Sequence, residues 1–115
     1  MPHLVIEYSS GGHDGLFDAP VLMRALHDAA AASGVVKAED IKVRAVAYSD
    51  YLVARCDDGF CHVGVYLLAG RSAEQKTRLS MALRAAMSEL LPRTKSLSVD
   101  IRDMDSESYK KRLLP

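Results

Sequence analysis

The feature that most constrains the fold is an order of elements that occurs twice: a short apolar strand, an amphipathic helix, then another strand. His3-Leu4-Val5-Ile6-Glu7-Tyr8 reads as the first strand, and the Ser9-Ser10-Gly11-Gly12 cluster breaks it. Asp18 ahead of Pro20 suits a helix start, with the Asp as N-cap and the Pro in the first turn. Leu22, Leu26, Ala29 and Ala30 then recur at helical spacing, and Gly34 suits the stop. A second strand runs from about Ile41 into the low fifties, alternating Ile41, Val43, Ala45 and Ala47 with Lys42, Arg44, Val46 and Tyr48. An Asp58-Gly59 turn leads into a third strand, Cys61 to Ala69. Ser72 and Gln75 match a capping box, and the helix they open is expected to bury a stripe of Leu79, Leu83, Ala86, Met87 and Leu90. Pro92 follows its end, and Leu97, Val99 and Ile101 alternate with polar residues in a fourth strand.

The chain of 115 residues is thus expected to form one domain of two βαβ halves, about 1–56 and 60–104, joined by a hairpin and followed by a tail, 105–115. Each half opens on a similar strand, His3-Leu4-Val5-Ile6 and His62-Val63-Gly64-Val65. The expected fold is α/β (α+β), a four-stranded mixed sheet with both helices on one face. Leu4, Ile6 and Tyr8 point one way from the first strand; His3, Val5 and Glu7 point the other. Helices cover only one face, and a bare, partly apolar face predicts self-association.

Fifteen basic residues balance fifteen acidic ones, so the basic excess of a general nucleic-acid or membrane-surface binder is missing. Hydrophobic residues make up 49%, enough for a core without metal or disulfide staples. No segment approaches the ~20 apolar residues of a membrane span, no secretory signal is evident, and a cytoplasmic location is expected. An Asp58-Gly59 hairpin would set Cys56 opposite Cys61, and in that compartment two reduced thiols are the expectation. Neither these cysteines nor His3, His13, His27 and His62 stand at metal-ligand spacing; packing or surface roles are expected, with packing for His3 and His62.

The chemistry is concentrated near the start. Pro2 follows Met1, and removal of Met1 would leave a free secondary amine. An α-amino group titrates near ~7.7–8.0, and burial beside cations lowers that value, giving a base for proton transfer next to a carbonyl. Many chains begin Met-Pro without catalytic consequence, so the pair alone decides nothing. Gly70-Arg71-Ser72 stands where a strand meets a helix N-terminus, which attracts carboxylates, and Arg71 adds a planar fork of donors. A surface pair with Glu74 or another acid would explain Arg71 equally well. Lys42 and Arg44 flank the same sheet and would suit an acidic keto-enol substrate, although solvated strand charges are the plainer account.

Met-Pro-His-Leu-Val-Ile-Glu-Tyr-Ser, Ile41-Lys42-Val43-Arg44 and Ala69-Gly70-Arg71-Ser72, in this element order, resemble the 5-carboxymethyl-2-hydroxymuconate isomerase family of the tautomerase superfamily, from residue 2 to about 103. The resemblance implies a tautomerase-like fold and a homotrimer whose three sheets enclose a central barrel. It also implies no cofactor and a 1,3 proton shift on an unsaturated 2-hydroxy dicarboxylate. It assigns Pro2 as proton shuttle and Arg71 as carboxylate ligand, with Arg44, and less directly Lys42, as further substrate contacts. Loop 9–14, the Cys56–Cys61 segment and the tail after Met104 are expected to border the site. Two alternatives stand beside it: a non-catalytic βαβ-βαβ assembly module, and a tautomerase of phenylpyruvate-like keto-enol acids.

Overall fold

The computed structural model describes residues 2–115, so the expected removal of Met1 concerns a residue outside that range. The elements are β1 (His3–Ser9), α1 (Ala19–Ala32), a 3-10 turn (Ala38–Asp40), β2 (Lys42–Tyr48), β3 (Phe60–Leu68), α2 (Ala73–Leu90) and β4 (Ser96–Met104). Both helix starts follow the local chemistry. The Asp18 side chain accepts from Val21 N, while Ser72 and Gln75 close a reciprocal capping box. Gly34, past the C-cap Ser33, has φ 78°, a left-handed conformation that costs glycine little.

The four strands form one mixed sheet in the order β2-β1-β3-β4. β1 runs parallel to β2 and antiparallel to β3, and β3 runs parallel to β4. β2 and β3 therefore flank β1 on opposite sides, and the chain between them crosses its end. The expected hairpin between the halves is not formed. A tight two-residue turn lies earlier instead: Val53 and Cys56 exchange backbone hydrogen bonds of 2.9 Å in both directions, with Ala54 and Arg55 at φ 51° and 68°. Positive φ at both central positions is the geometry whose twist suits a two-residue hairpin. Cys56 belongs to this turn and is exposed, whereas Cys61 is buried in β3 and both are free thiols, so they do not face each other.

Leu4 and Ile6 of β1 and Cys61, Val63, Val65 and Leu67 of β3 project to one side. There they meet Leu22, Leu26 and Ala30 of α1 and Leu79, Leu83 and Met87 of α2, whereas Leu90, expected in the same buried stripe, is exposed at the last turn of α2. Each Leu, Ile, Val or Met side chain buried here in full contributes about 1.5–3 kcal/mol of transfer free energy, which makes this layer the main source of stability. The opposite face has no helix. Across it the register sets Lys42, His3, Tyr66 and Arg102 in one row, Arg44, Val5, Gly64 and Asp100 in the next, and Val46, Glu7, His62 and Ser98 in a third. Val46, Tyr48 and Tyr66 on this face remain 47%, 41% and 38% exposed. His3 and His62 occupy this open face rather than the core, so the expected packing role for them is corrected: the period of two that buries Leu4 and Val63 turns their neighbours outward.

At the C-terminal end of β1 a buried polar cluster ties three loops together. His13 is 3% exposed; its Nδ1 lies 2.6 Å from Thr94 Oγ1 and its Nε2 lies 2.7 Å from the Ser9 carbonyl. Gly12 and Gly59 pass so closely that a Cβ on Gly12 would stand 2.3 Å from Gly59 N, and only glycine fits there. No helix among the described residues is long and apolar enough to cross a membrane.

Candidate functional site

Pro2 immediately precedes β1, in the phase of Leu4 and Ile6, and its ring is fully buried on the helix side. Its carbonyl accepts a 3.0 Å hydrogen bond from Lys42 N, which pins residue 2 to the start of β2. Since β1 and β3 are antiparallel, this is also the end at which β3 delivers the chain to α2. The topology thus brings Pro2, Lys42, Arg44 and the Arg71 segment to one end of the sheet, although 69 residues separate the first from the last.

Arg71 is half-buried and donates from Nη2 to the carbonyl of Val35, in the connection between α1 and β2, at 3.4 Å. It makes no ion pair with Glu74, and the remaining donors of the guanidinium have no carboxylate among the described residues. The alternative of a surface pair with Glu74 is thereby removed. Gly70 before it has φ 133°, and a side chain there would be strained although it would meet no atom.

Lys42 and Arg44 project from β2 onto the open face, on the other side of the sheet from the Pro2 ring. Neither has an acidic partner among the described residues. Arg44 donates from Nη1 to His3 Nδ1 at 3.2 Å, and His3 Nε2 lies 3.0 Å from the Tyr109 hydroxyl. His3, Arg44, Tyr66 and Met104 line a shallow pocket of about 260 Å³. The His3 pKa is lowered by partial burial first, then by Arg44, Lys42 and the amino terminus, which favours the neutral ring. One protomer therefore places Arg44 and Lys42 with His3, and Pro2 and Arg71 at the same sheet end; the backbone bond from Lys42 N to the Pro2 carbonyl links the two groups, but no side-chain hydrogen bond does.

His3 and Tyr109 were not among the candidates drawn from the sequence. The signal available was only a histidine inside the first strand, since a hydrogen bond spanning 106 residues has no local trace. Of the segments expected to border the site, the tail lies beside Arg44 and His3: Tyr109 reaches the His3 ring with centroids 5.9 Å apart in an edge-on arrangement. Loop 9–14 and the chain around Cys56 lie at the other end of β1 within the protomer, because β1 runs away from Pro2. Among the described residues no three His, Cys, Asp or Glu side chains gather as a metal site.

The sequence profile of the 5-carboxymethyl-2-hydroxymuconate isomerases matches residues 2–114. Among solved structures, a 5-carboxymethyl-2-hydroxymuconate isomerase from Deinococcus radiodurans R1 superimposes with a TM-score of 0.83 at 26% identity, over 96% of this chain and 88% of that one. A 5-carboxymethyl-2-hydroxymuconate delta-isomerase matches with a TM-score of 0.72 at 25% identity, over 98% and 88% of the two chains. A fused 4-OT, described as a symmetric trimer, matches with a TM-score of 0.76 at 26% identity, over 93% and 89%. No curated protein sequence matches the chain.

Proposed function

This chain belongs to the 5-carboxymethyl-2-hydroxymuconate isomerase family and is an isomerase of the tautomerase superfamily, and we propose that it shifts a proton on an unsaturated 2-hydroxy dicarboxylate with Pro2 as its base. The observation that carries the proposal is that the sheet end holding Pro2 also carries three cations, Lys42, Arg44 and Arg71, none of them matched by an acid among the described residues. Once Met1 is removed, the Pro2 nitrogen is a secondary amine anchored through its own carbonyl to β2. Its neutral form takes a proton from the substrate, leaving a dienolate whose negative charge the cations stabilise. The resulting ammonium returns the proton to a different atom of the conjugated system. Atoms and charge balance within substrate and enzyme alone, and a 5-carboxymethyl-2-hydroxymuconate-like diacid has the required carboxylates and enol.

Arg71 would hold one carboxylate through its free donors and Arg44 would meet the other, with Lys42 adding charge. Because Arg44 and Lys42 lie across the sheet from the Pro2 ring, the complete site is expected to draw groups from neighbouring copies. A homotrimer packed through the open sheet faces provides them and also covers Val46, Tyr48 and Tyr66. Phenylpyruvate-like keto-enol acids are a second substrate class. Tyr66 and Met104 beside Arg44 favour them by offering an apolar wall to an acid with one carboxylate.

The test joins intact mass to kinetics. Protein made in cells is expected to lack Met1, and Pro2→Ala, which leaves a primary amine in place of the proline nitrogen, should lower kcat/KM by about 100-fold or more. An unchanged rate would remove Pro2 from the mechanism.

A further inference from the structure

We propose that His3 is a positioning residue for substrate binding: its imidazole holds the Arg44 guanidinium beside the pocket of Tyr66 and Met104, and Tyr109 fixes the tautomer that can do so. The inference rests on the assignment of Arg44 to a substrate carboxylate. Arg44 stands on an edge strand, exposed, and without an anchor its long side chain would sample many rotamers. Its anchor is His3 Nδ1 at 3.2 Å. A guanidinium has no acceptor, so Nδ1 accepts and the neutral ring carries its proton on Nε2. That proton is donated to the Tyr109 hydroxyl, 3.0 Å away.

Tyr109 is itself held. Its backbone N–H donates to the Asp105 carbonyl at 3.0 Å, and the Asp105 carboxylate accepts from Glu107 N at 2.9 Å, forming one turn directly after β4. The C-terminal segment is thus clasped onto the first residue of β1. The charged and titratable groups that face His3 are the amino terminus, Lys42 and Arg44 from β2, Tyr66 from β3 and Tyr109 from the tail. None is a carboxylate that would favour the imidazolium, and the lowered pKa of His3 agrees with an acceptor that must stay neutral. Protonation would replace the Arg44 bond by repulsion between two cations.

The experiment is steady-state kinetics on an unsaturated 2-hydroxy dicarboxylate with His3→Ala, His3→Asn, Tyr109→Phe, Arg44→Ala and the double variant His3→Ala/Arg44→Ala. Loss of one positioning hydrogen bond should raise KM about 3- to 10-fold in His3→Ala, with kcat within about 2-fold. His3→Asn, whose amide can accept near the Nδ1 position, should recover most of the loss. Tyr109→Phe, a change of one exposed-segment hydroxyl, should raise KM about 2- to 4-fold. The double variant should be no worse than Arg44→Ala alone. If Arg44→Ala raises KM while the His3 and Tyr109 variants do not, the positioning role is refuted and the Arg44 contact survives. A His3→Ala effect that persists undiminished without Arg44 refutes it as well. An unchanged KM in Arg44→Ala overturns the Arg44 contact, and the positioning role with it.

Discussion

Arg71→Ala separates a substrate contact from a structural arginine. The side chain commits one donor, Nη2, to the Val35 carbonyl at 3.4 Å, a length at which a hydrogen bond is weak. Removing it should therefore cost the fold little, and the unfolding midpoint should fall by no more than about 4 °C, which corresponds to ~1 kcal/mol in a domain of this size. Binding should suffer far more. Hydrogen bonds to a charged group contribute about 1.5–3 kcal/mol, and each ~1.4 kcal/mol is tenfold in an equilibrium constant. The KM for an unsaturated 2-hydroxy diacid should then rise roughly 10- to 150-fold, with kcat much less affected. Arg71→Lys retains the charge but loses the fork and should fall between the two. The assay is the change in ultraviolet absorbance as the conjugated enol is consumed, measured for the diacid and for a keto-enol acid with a single carboxylate. A specific carboxylate contact requires the larger KM increase for the diacid. Equal increases for both acids, or a midpoint lowered by ~10 °C, would refute it.

The remaining predictions concern stability, thiols and assembly. Thr94→Val removes the hydroxyl that pairs with buried His13 Nδ1 and should cost about 1–3 kcal/mol, seen as a midpoint roughly 4–12 °C lower by calorimetry; no shift would contradict a stabilising role for that pair. Cys61 is buried, and burial pushes its thiol up to about 12, whereas Cys56 is exposed. A thiol reagent should titrate only Cys56 in the native protein and both after denaturation, and rapid native labelling of Cys61 would show that β3 is not packed as described. Sedimentation should give three copies per particle, and a stable monomer would contradict coverage of the open sheet face.

Much of the protein was legible because it is local. Asp18 with Pro20, the Ser72 and Gln75 box, and Leu79, Leu83 and Met87 each express chemistry within a few residues, and each appears in the structure at or next to its expected place. Strand ends were less well defined: β2 stops at Tyr48, before Ser49 and Asp50, although the apolar residues Tyr51, Leu52 and Val53 that follow suggest a longer strand. The Asp58-Gly59 turn signal misled for a related reason. It marks a chain reversal but carries no information on which strand lies beside which. With β1 between β2 and β3, the only two-residue turn in that connection falls at Ala54-Arg55, without glycine.

The candidate site divides in the same way. Pro2, Arg71, Arg44 and Lys42 stood out by residue type and position, because a terminal proline and a cation at a strand–helix junction have a chemistry that can be read without coordinates. The alternation of β1 also determined that Leu4 and Ile6 turn from His3, Val5 and Glu7 to opposite faces. Only the tertiary structure decided that Pro2 and Arg44 lie on different sides of the sheet, that Arg71 leans on Val35 rather than Glu74, and that His3 is held between Arg44 and Tyr109. The physical reason is range: capping and periodicity act over one turn or one pleat. The positions of these polar groups follow from strand order and from the path of the tail, which no short segment encodes.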